Sequence, residues 1–206
     1  KINKFIVKTH KTPMTNLRKL QSLRSGTIDV IALPTSKTLE AEFLPIRFPL
    51  MRGLLGYRAL LENKDYIKGK PFKSYRFGQG RGWTDVKILE NNGFNVVLSQ
   101  DYASLFPMLN YRRIDFFPRG VSEALNEYKA HHAKFKNIAI NKHYMLYYPF
   151  VVYFFVKKED VHLHDSILAA LNNFKKSGEF EKYFQKHNGQ YVNYIQKIFQ
   201  AASINS

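Results

Sequence analysis

Cysteine is absent from all 206 residues. A disulfide framework and a thiolate metal centre are therefore excluded, while the redox compartment stays open. Acid is scarce as well: 16 Asp+Glu stand against 32 Lys+Arg, a formal net charge of +16. Such an excess draws anions, nucleic acid or acidic membrane surfaces, and it says nothing about fold. Long hydrophobic runs are missing too. The longest, YYPFVVYFFV at Tyr147–Val156, falls short of the ~18 apolar residues that read as a membrane span, and it suits a buried strand instead. The N-terminal KINKFIVKTH lacks the apolar core and cleavage site of a signal peptide.

What is present points to a packed protein. Hydrophobic residues make up 45% and aromatics 15%, enough for a real core in one large domain or two small lobes. Lys4–Lys8 has strand character. Met14, Leu17, Leu20 and Leu23 share a helical face that Gly26 is placed to stop. TIDVIAL at Thr27–Leu33 is too apolar to be half-exposed and predicts a strand covered on both faces. LLGYRALL at Leu54–Leu61 predicts another, and the polar Lys64–Ser74 a connector.

Tyr75–Phe77, a helix over about Thr84–Asn92 and the strand Asn95–Ser99 form a βαβ unit. Helices are expected at Asp101–Tyr111 and Ser122–Phe135, and strands at Ile114–Phe117, Ile138–Ile140 and Met145–Val156. Three helices close the chain: about Asp165–Ser177, Glu179–His187 and Val192–Ala202, with Gly178 and Gly189 between them. The alternation predicts an α/β protein with mainly parallel sheets.

FGQGRGWTD at Phe77–Asp85 is the stretch richest in chemistry. Its Gly78-x-Gly80-x-Gly82 spacing brings the third glycine one residue early for a dinucleotide fingerprint, and the lysine of a phosphate loop is missing. One reading is a tight strand-to-helix turn. The favoured one is a helix start whose free N–H groups receive carboxylate, phosphate or carbonyl oxygens, with Gln79, Arg81, Gly82 and Trp83 around it. His162, His164 and Asp165 invite a metal reading, but no third ligand is identifiable and a helix cap suits them better. No metal and no cofactor is expected.

Five segments carry a resemblance in order: LQSLRSGTIDVIALPTS, IRFPLMRGLLGYRALL, GQGRGWTDVKILENNGFNVV, LFPMLNYRRIDFFPRGVSEAL and ILAALNNFKKSGEFEKYFQKH. Together they resemble bacterial extracellular solute-binding proteins of the amino-acid type, family 3, with the two-lobed type II periplasmic-binding-protein fold. The resemblance implies lobe one at residues 1–57 plus 152–206 and lobe two at 62–147. Hinge strands would lie near 57–61 and 149–153, with a ligand between the lobes. It also implies that the first strand and helix of lobe one lie outside this chain. Ligand donors would be Thr35 and Ser36 from lobe one, and Gln79, Arg81, Gly82, Trp83 and Arg119 from lobe two.

Two positions depart from the pattern. Ala41 stands about where members carry a carboxylate-binding arginine. FFPRG at Phe116–Gly120 has no aspartate for an α-amino group, and Arg119 stands near its place. A small polar ligand, anionic or amino-acid-like, follows as the expectation, since Arg119 can fork onto an anion. Arg119 can equally pair with Glu123 one helical turn on. The implied protein is a non-enzymatic, periplasmic monomer serving a transporter permease or a sensor. The competing readings are an enzyme on the same scaffold, dehydratase-like, with Glu123 as acid or base, and a nucleic-acid binder suggested by charge alone. No nucleic-acid module is legible.

Overall fold

The computed structural model describes residues 6–12, 14–66 and 68–204. The expected strand at Lys4–Lys8 lies mostly outside them, and residues 6–8 are not in a strand. The chain divides into two compact units, residues 1–50 with 152–177 and residues 51–151 with 178–206.

The first unit begins with helix α1 (Asn16–Arg24). The Thr15 side chain accepts a hydrogen bond from the Arg18 N–H at its start, and Gly26, at φ +71°, follows its end. Strand β1 (Ile31–Pro34) is shorter and later than the apolar run TIDVIAL suggests. Helix α2 (Lys37–Glu42) and strand β2 (Leu44–Ile46) follow, neither of them signalled by periodicity. Strand β8 (Val152–Val156) lies between β1 and β2 and runs antiparallel to both, with Ile31 opposite Phe155 and Ile46 opposite Phe154. Leu23, Ile31, Leu33, Leu39, Phe43 and Phe155 form the core, and helix α6 (Val161–Lys176) packs on β2 and β8.

The second unit holds a five-stranded sheet. Strand β3 (Tyr57–Asn63) follows a 3-10 turn at Leu54–Gly56, and β4 (Arg76–Gly80) takes up two glycines that the sequence places in a loop. Helix α3 (Thr84–Asn91), strand β5 (Asn95–Ser99), helix α4 (Leu105–Asn110), strand β6 (Phe116–Gly120), helix α5 (Val121–His131) and strand β7 (Ile138–Tyr147) complete it. The order is β5-β4-β6-β3-β7. β4 pairs parallel with β5 and β6, whereas β3 runs antiparallel between β6 and β7. Parallel pairing is thus confined to β4 with β5 and β6, and the other ladders, β1 and β2 with β8 and β3 with β6 and β7, are antiparallel, so parallel pairs are fewer than the sequence suggests. Phe77, Phe106, Phe116 and Phe117 are fully buried around this sheet.

Two further outcomes differ from expectation. Tyr147–Val156 is not one strand, because the chain leaves β7 at Tyr147 and enters β8 at Val152. Helix α7 (Glu179–Ile204) runs unbroken through Gly189. It belongs to the second unit and not, as expected, with α6: its Phe184, Tyr191 and Ile195 pack on Leu54 and Val121. The unit boundary also falls at Leu50–Met51, so Tyr57–Leu61 lies wholly inside the second unit.

Candidate functional site

Backbone direction decides where chemistry gathers. In the second unit β4, β5 and β6 all end at one edge of the sheet. Open α/β sheets place ligands outside the carboxyl ends of such strands. Between β4 and α3 the chain turns through Arg81, Gly82 and Trp83. Gly82 adopts φ +79°, a left-handed conformation that favours glycine. Gly80 is required for a different reason. A Cβ there would sit 2.3 Å from Cε2 of Trp83, so the ring lies directly on the strand backbone. The glycines therefore serve a turn and a ring contact, which accounts for their departure from a nucleotide fingerprint.

Trp83 is half-buried and lies nearly parallel to Phe117, with ring centres 6.3 Å apart; Tyr102 flanks it at 6.4 Å. The Arg119 guanidinium lies 4.9 Å from the Trp83 ring centre and 5.6 Å from that of Tyr102. Its charge is already answered. Nη2 donates to Glu127 at 2.8 Å and to Glu123 at 3.0 Å, and Nε donates to Glu127 at 3.0 Å. Burial opposes the charge on Arg119, but Glu127 and Glu123 outweigh it and hold the pKa above its ordinary value. Burial, followed by the Glu127 carboxylate, pushes the Tyr102 hydroxyl well up.

A second cluster stands beside the first. Arg58 on β3 is 3% exposed, and its Nη2 lies 2.8 Å from Asp85 in the first turn of α3 without hydrogen-bond alignment. The Tyr148 hydroxyl donates to Asp85 and accepts from Arg58 Nε at 3.0 Å. Phe150 covers the guanidinium at 4.2 Å. Glu123 joins the clusters: its Oε1 takes Arg119, its Oε2 accepts the Gly120 N–H at 3.0 Å, and Arg58 Nη1 stands 3.8 Å from Oε2. A Cβ on Gly120 would meet that Oε2 at 2.9 Å. The carboxylate missing after Arg119 in the sequence is thus supplied in space by Glu123, whose side chain is 40% exposed.

The candidate residues meet different fates. Arg81, Gly82, Trp83 and Arg119 gather at this edge, with Arg81 exposed on the turn. Gln79 does not reach the surface. It is fully buried and donates to the Pro118 carbonyl at 3.3 Å, while its own Oε1 has no partner among the described residues. In the first unit Thr35 donates to Glu40, which also pairs with Arg47, and the Ser36 hydroxyl caps α2 by accepting from the Leu39 N–H. Both hydroxyls are thus engaged locally. Ala41 is an exposed residue of α2. His164 lies in the first turn of α6 with its ring on Asp165 and the Pro45 carbonyl.

Sequence reading missed Arg58, Asp85, Tyr102, Glu127 and Tyr148 as parts of this cluster. Two signals were there: an arginine inside the apolar strand YRALL, and the Arg119, Glu123, Glu127 series at four-residue spacing. In sum, three carboxylates face two guanidiniums over an aromatic floor. Arg119 thus has no spare charge for an anion, and Glu123 offers the edge a partly exposed carboxylate beside the exposed Arg81.

No protein-family model and no curated sequence matches the chain. Solved structures do. An ancestral arginine-binding protein bound to arginine is similar at TM-score 0.65 and 20% identity, over 85% of this chain and 78% of that one. A probable amino-acid ABC transporter extracellular-binding protein from Bacillus subtilis is similar at TM-score 0.65 and 21% identity, over 84% and 76%. The ancestral amino-acid-binding protein AncCDT-1, a precursor of cyclohexadienyl dehydratase, is similar at TM-score 0.62 and 16% identity, over 85% and 75%. The chain therefore has the periplasmic-binding-protein-like α/β fold of these amino-acid-binding proteins.

Proposed function

We propose that this chain is a non-catalytic solute-binding protein acting outside the cytoplasm. It captures a small amino-acid-like ligand at the strand-terminal edge of the second unit and serves a membrane transporter. One observation carries the choice of ligand: Arg119 is filled by Glu123 and Glu127, so among the paired groups the most exposed charge is the carboxylate of Glu123, with Arg81 exposed on the neighbouring turn. An acid in that place suits a ligand with a positive end, by charge-assisted hydrogen bonding. That weakens the anionic alternative, which rested on a free Arg119. The name of one similar protein, bound to arginine, points the same way, and that of another supports an amino-acid ligand.

Thermal shift tests this. A ligand that binds only the folded state raises the melting temperature by mass action. Arginine, lysine or glutamine should raise it, and Glu123→Gln should abolish the rise while leaving the unliganded protein folded. Stabilisation by dicarboxylates or phosphate alone would overturn the cationic reading. The similarity to a dehydratase precursor keeps one enzymatic alternative in view. Against it, both Glu123 oxygens are engaged, by Arg119 and by the Gly120 N–H. Turnover of a bound hydroxylated or cyclic substrate, lost in Glu123→Gln, would reverse the assignment.

A further inference from the structure

The sheet of the second unit has another edge, opposite the one just described. The loops that enter β4, β5, β6 and β7 meet there with the loop that leaves β3. Register brings them together, since Glu62 faces Phe116 and Asn63 faces Ile138. Cross-loop hydrogen bonds hold them: the Lys64 N–H to Asn137 O at 2.8 Å, Lys64 Nζ to Lys136 O at 2.7 Å, and Asn63 Nδ2 to Leu109 O at 2.6 Å. This rim exposes Lys64, Lys70, Lys73, Arg112, Arg113 and Lys136. Acid is sparse on it. Asp115 is buried and paired with Arg76 at 2.7 Å, and the half-buried Glu62 accepts from Asn141, which leaves Asp65 and Glu90 as the exposed acids. Tyr111, 70% exposed, stands beside the two arginines. Lys73 carries its ammonium over the Phe94 ring, 5.5 Å from the ring centre.

We propose that this rim docks on an anionic lipid bilayer. Clustered lysines and arginines are attracted to acidic headgroups, and an exposed tyrosine among them suits the interface, where one end of the ring is apolar and the other wet. Nucleic acid is the less favoured partner. Single strands need a row of stacking aromatics along a groove, and the exposed rings here, Tyr111 and Tyr144, lie on different elements and make no ring contact with each other among the described residues. The inference is independent of the ligand, because the ligand edge is at the other end of the same strands.

The test is sedimentation of the whole chain with vesicles of phosphatidylglycerol and phosphatidylcholine in equal parts, and with phosphatidylcholine alone. Binding is expected only to the anionic vesicles and should fade as salt rises. The quadruple change Lys70→Gln, Lys73→Gln, Arg112→Gln and Arg113→Gln should weaken it by roughly a hundredfold or more, at roughly fivefold per charge near the surface. A matched set in the first unit, Lys37, Lys158, Lys175 and Lys176 to Gln, should leave it within severalfold. In Tyr111→Trp the new indole should be quenched by brominated lipid. Equal losses from both sets would mean net charge without a docking surface and would overturn the proposal. So would a wild-type chain that stays in solution, or one that binds duplex or single-stranded nucleic acid more tightly than vesicles and loses it in the rim set. The ligand-induced thermal shift should persist in the rim variant, which separates failure here from failure of the binding reading.

Discussion

Arg119 shows how one residue changes meaning once its neighbours are known. On paper it is a cation awaiting an anion; in the structure it is a cation with two carboxylates and an aromatic bed. Glu127 is mostly buried beside it. Glu127→Gln should therefore leave a desolvated charge half-answered and cost about 3 kcal/mol in urea unfolding, the scale for breaking one side of a buried pair. Asp115 is a second case. Burial alone would raise its pKa, but hydrogen bonds from the Arg76 side chain and N–H, together with the guanidinium charge, hold it below the usual carboxylate range. A depressed carboxylate adds stability that is present above the unfolded value and lost as pH falls through the folded one. The loss should set in below about pH 4. Asp115→Asn should lower stability at neutral pH and flatten that acid limb, as followed by melting temperature against pH.

At the scale of elements, the turn from β4 into α3 depends on Gly80. Gly80→Ala would press a methyl into Trp83, whose nearest ring atom would lie 2.3 Å away, so the indole must leave its place on Phe117. The chain has one tryptophan, so its emission reports this directly. A red shift and a lost ligand response are expected; an unchanged spectrum would show that the ring does not rest there. Helix α7 is the other element whose role only packing reveals. Phe184 is 4% exposed against Leu54 and Val121. Phe184→Ala should cost about 3–4 kcal/mol, the range for emptying an aromatic site in a core. Its hydrogen-exchange signature should appear in α5 and the 3-10 turn before β3, and not in β1 or β8.

For the whole molecule, each unit has its own core, and the cores are unequal. Among the described residues, the first unit has a three-stranded sheet and six buried residues in its cluster, and the second unit has five strands and three clusters. Multi-domain chains often depart from two-state melting. The smaller unit should melt first. Trp83 belongs to the second unit, so far-ultraviolet circular dichroism should begin to fall before the indole emission shifts. Coincident curves would mean that the two units unfold together.

The sequence by itself determined the α/β class, the βαβ stretch from Tyr75 to Ser99 and most of the helix positions. These rest on local signals: alternation of apolar residues, glycines past helix ends and capping hydroxyls such as Thr15, and they act within a few residues along the chain. It also brought Arg81, Trp83 and Arg119 into view, because strand ends in such a fold share an edge. Tertiary structure alone decided that Gln79 faces inward, that α7 joins the second unit, and that Glu123 fills the place left by Gly120. It also drew Arg58, Asp85 and Tyr148 into one cluster from separate strands and loops. Helix α7 joins the second unit because Phe184, Tyr191 and Ile195 find Leu54 and Val121 there, far away in sequence; the other three outcomes concern polar groups. Whether a polar side chain is free or satisfied depends on groups distant in sequence, and burial raises the cost of leaving it unsatisfied until the fold provides a partner.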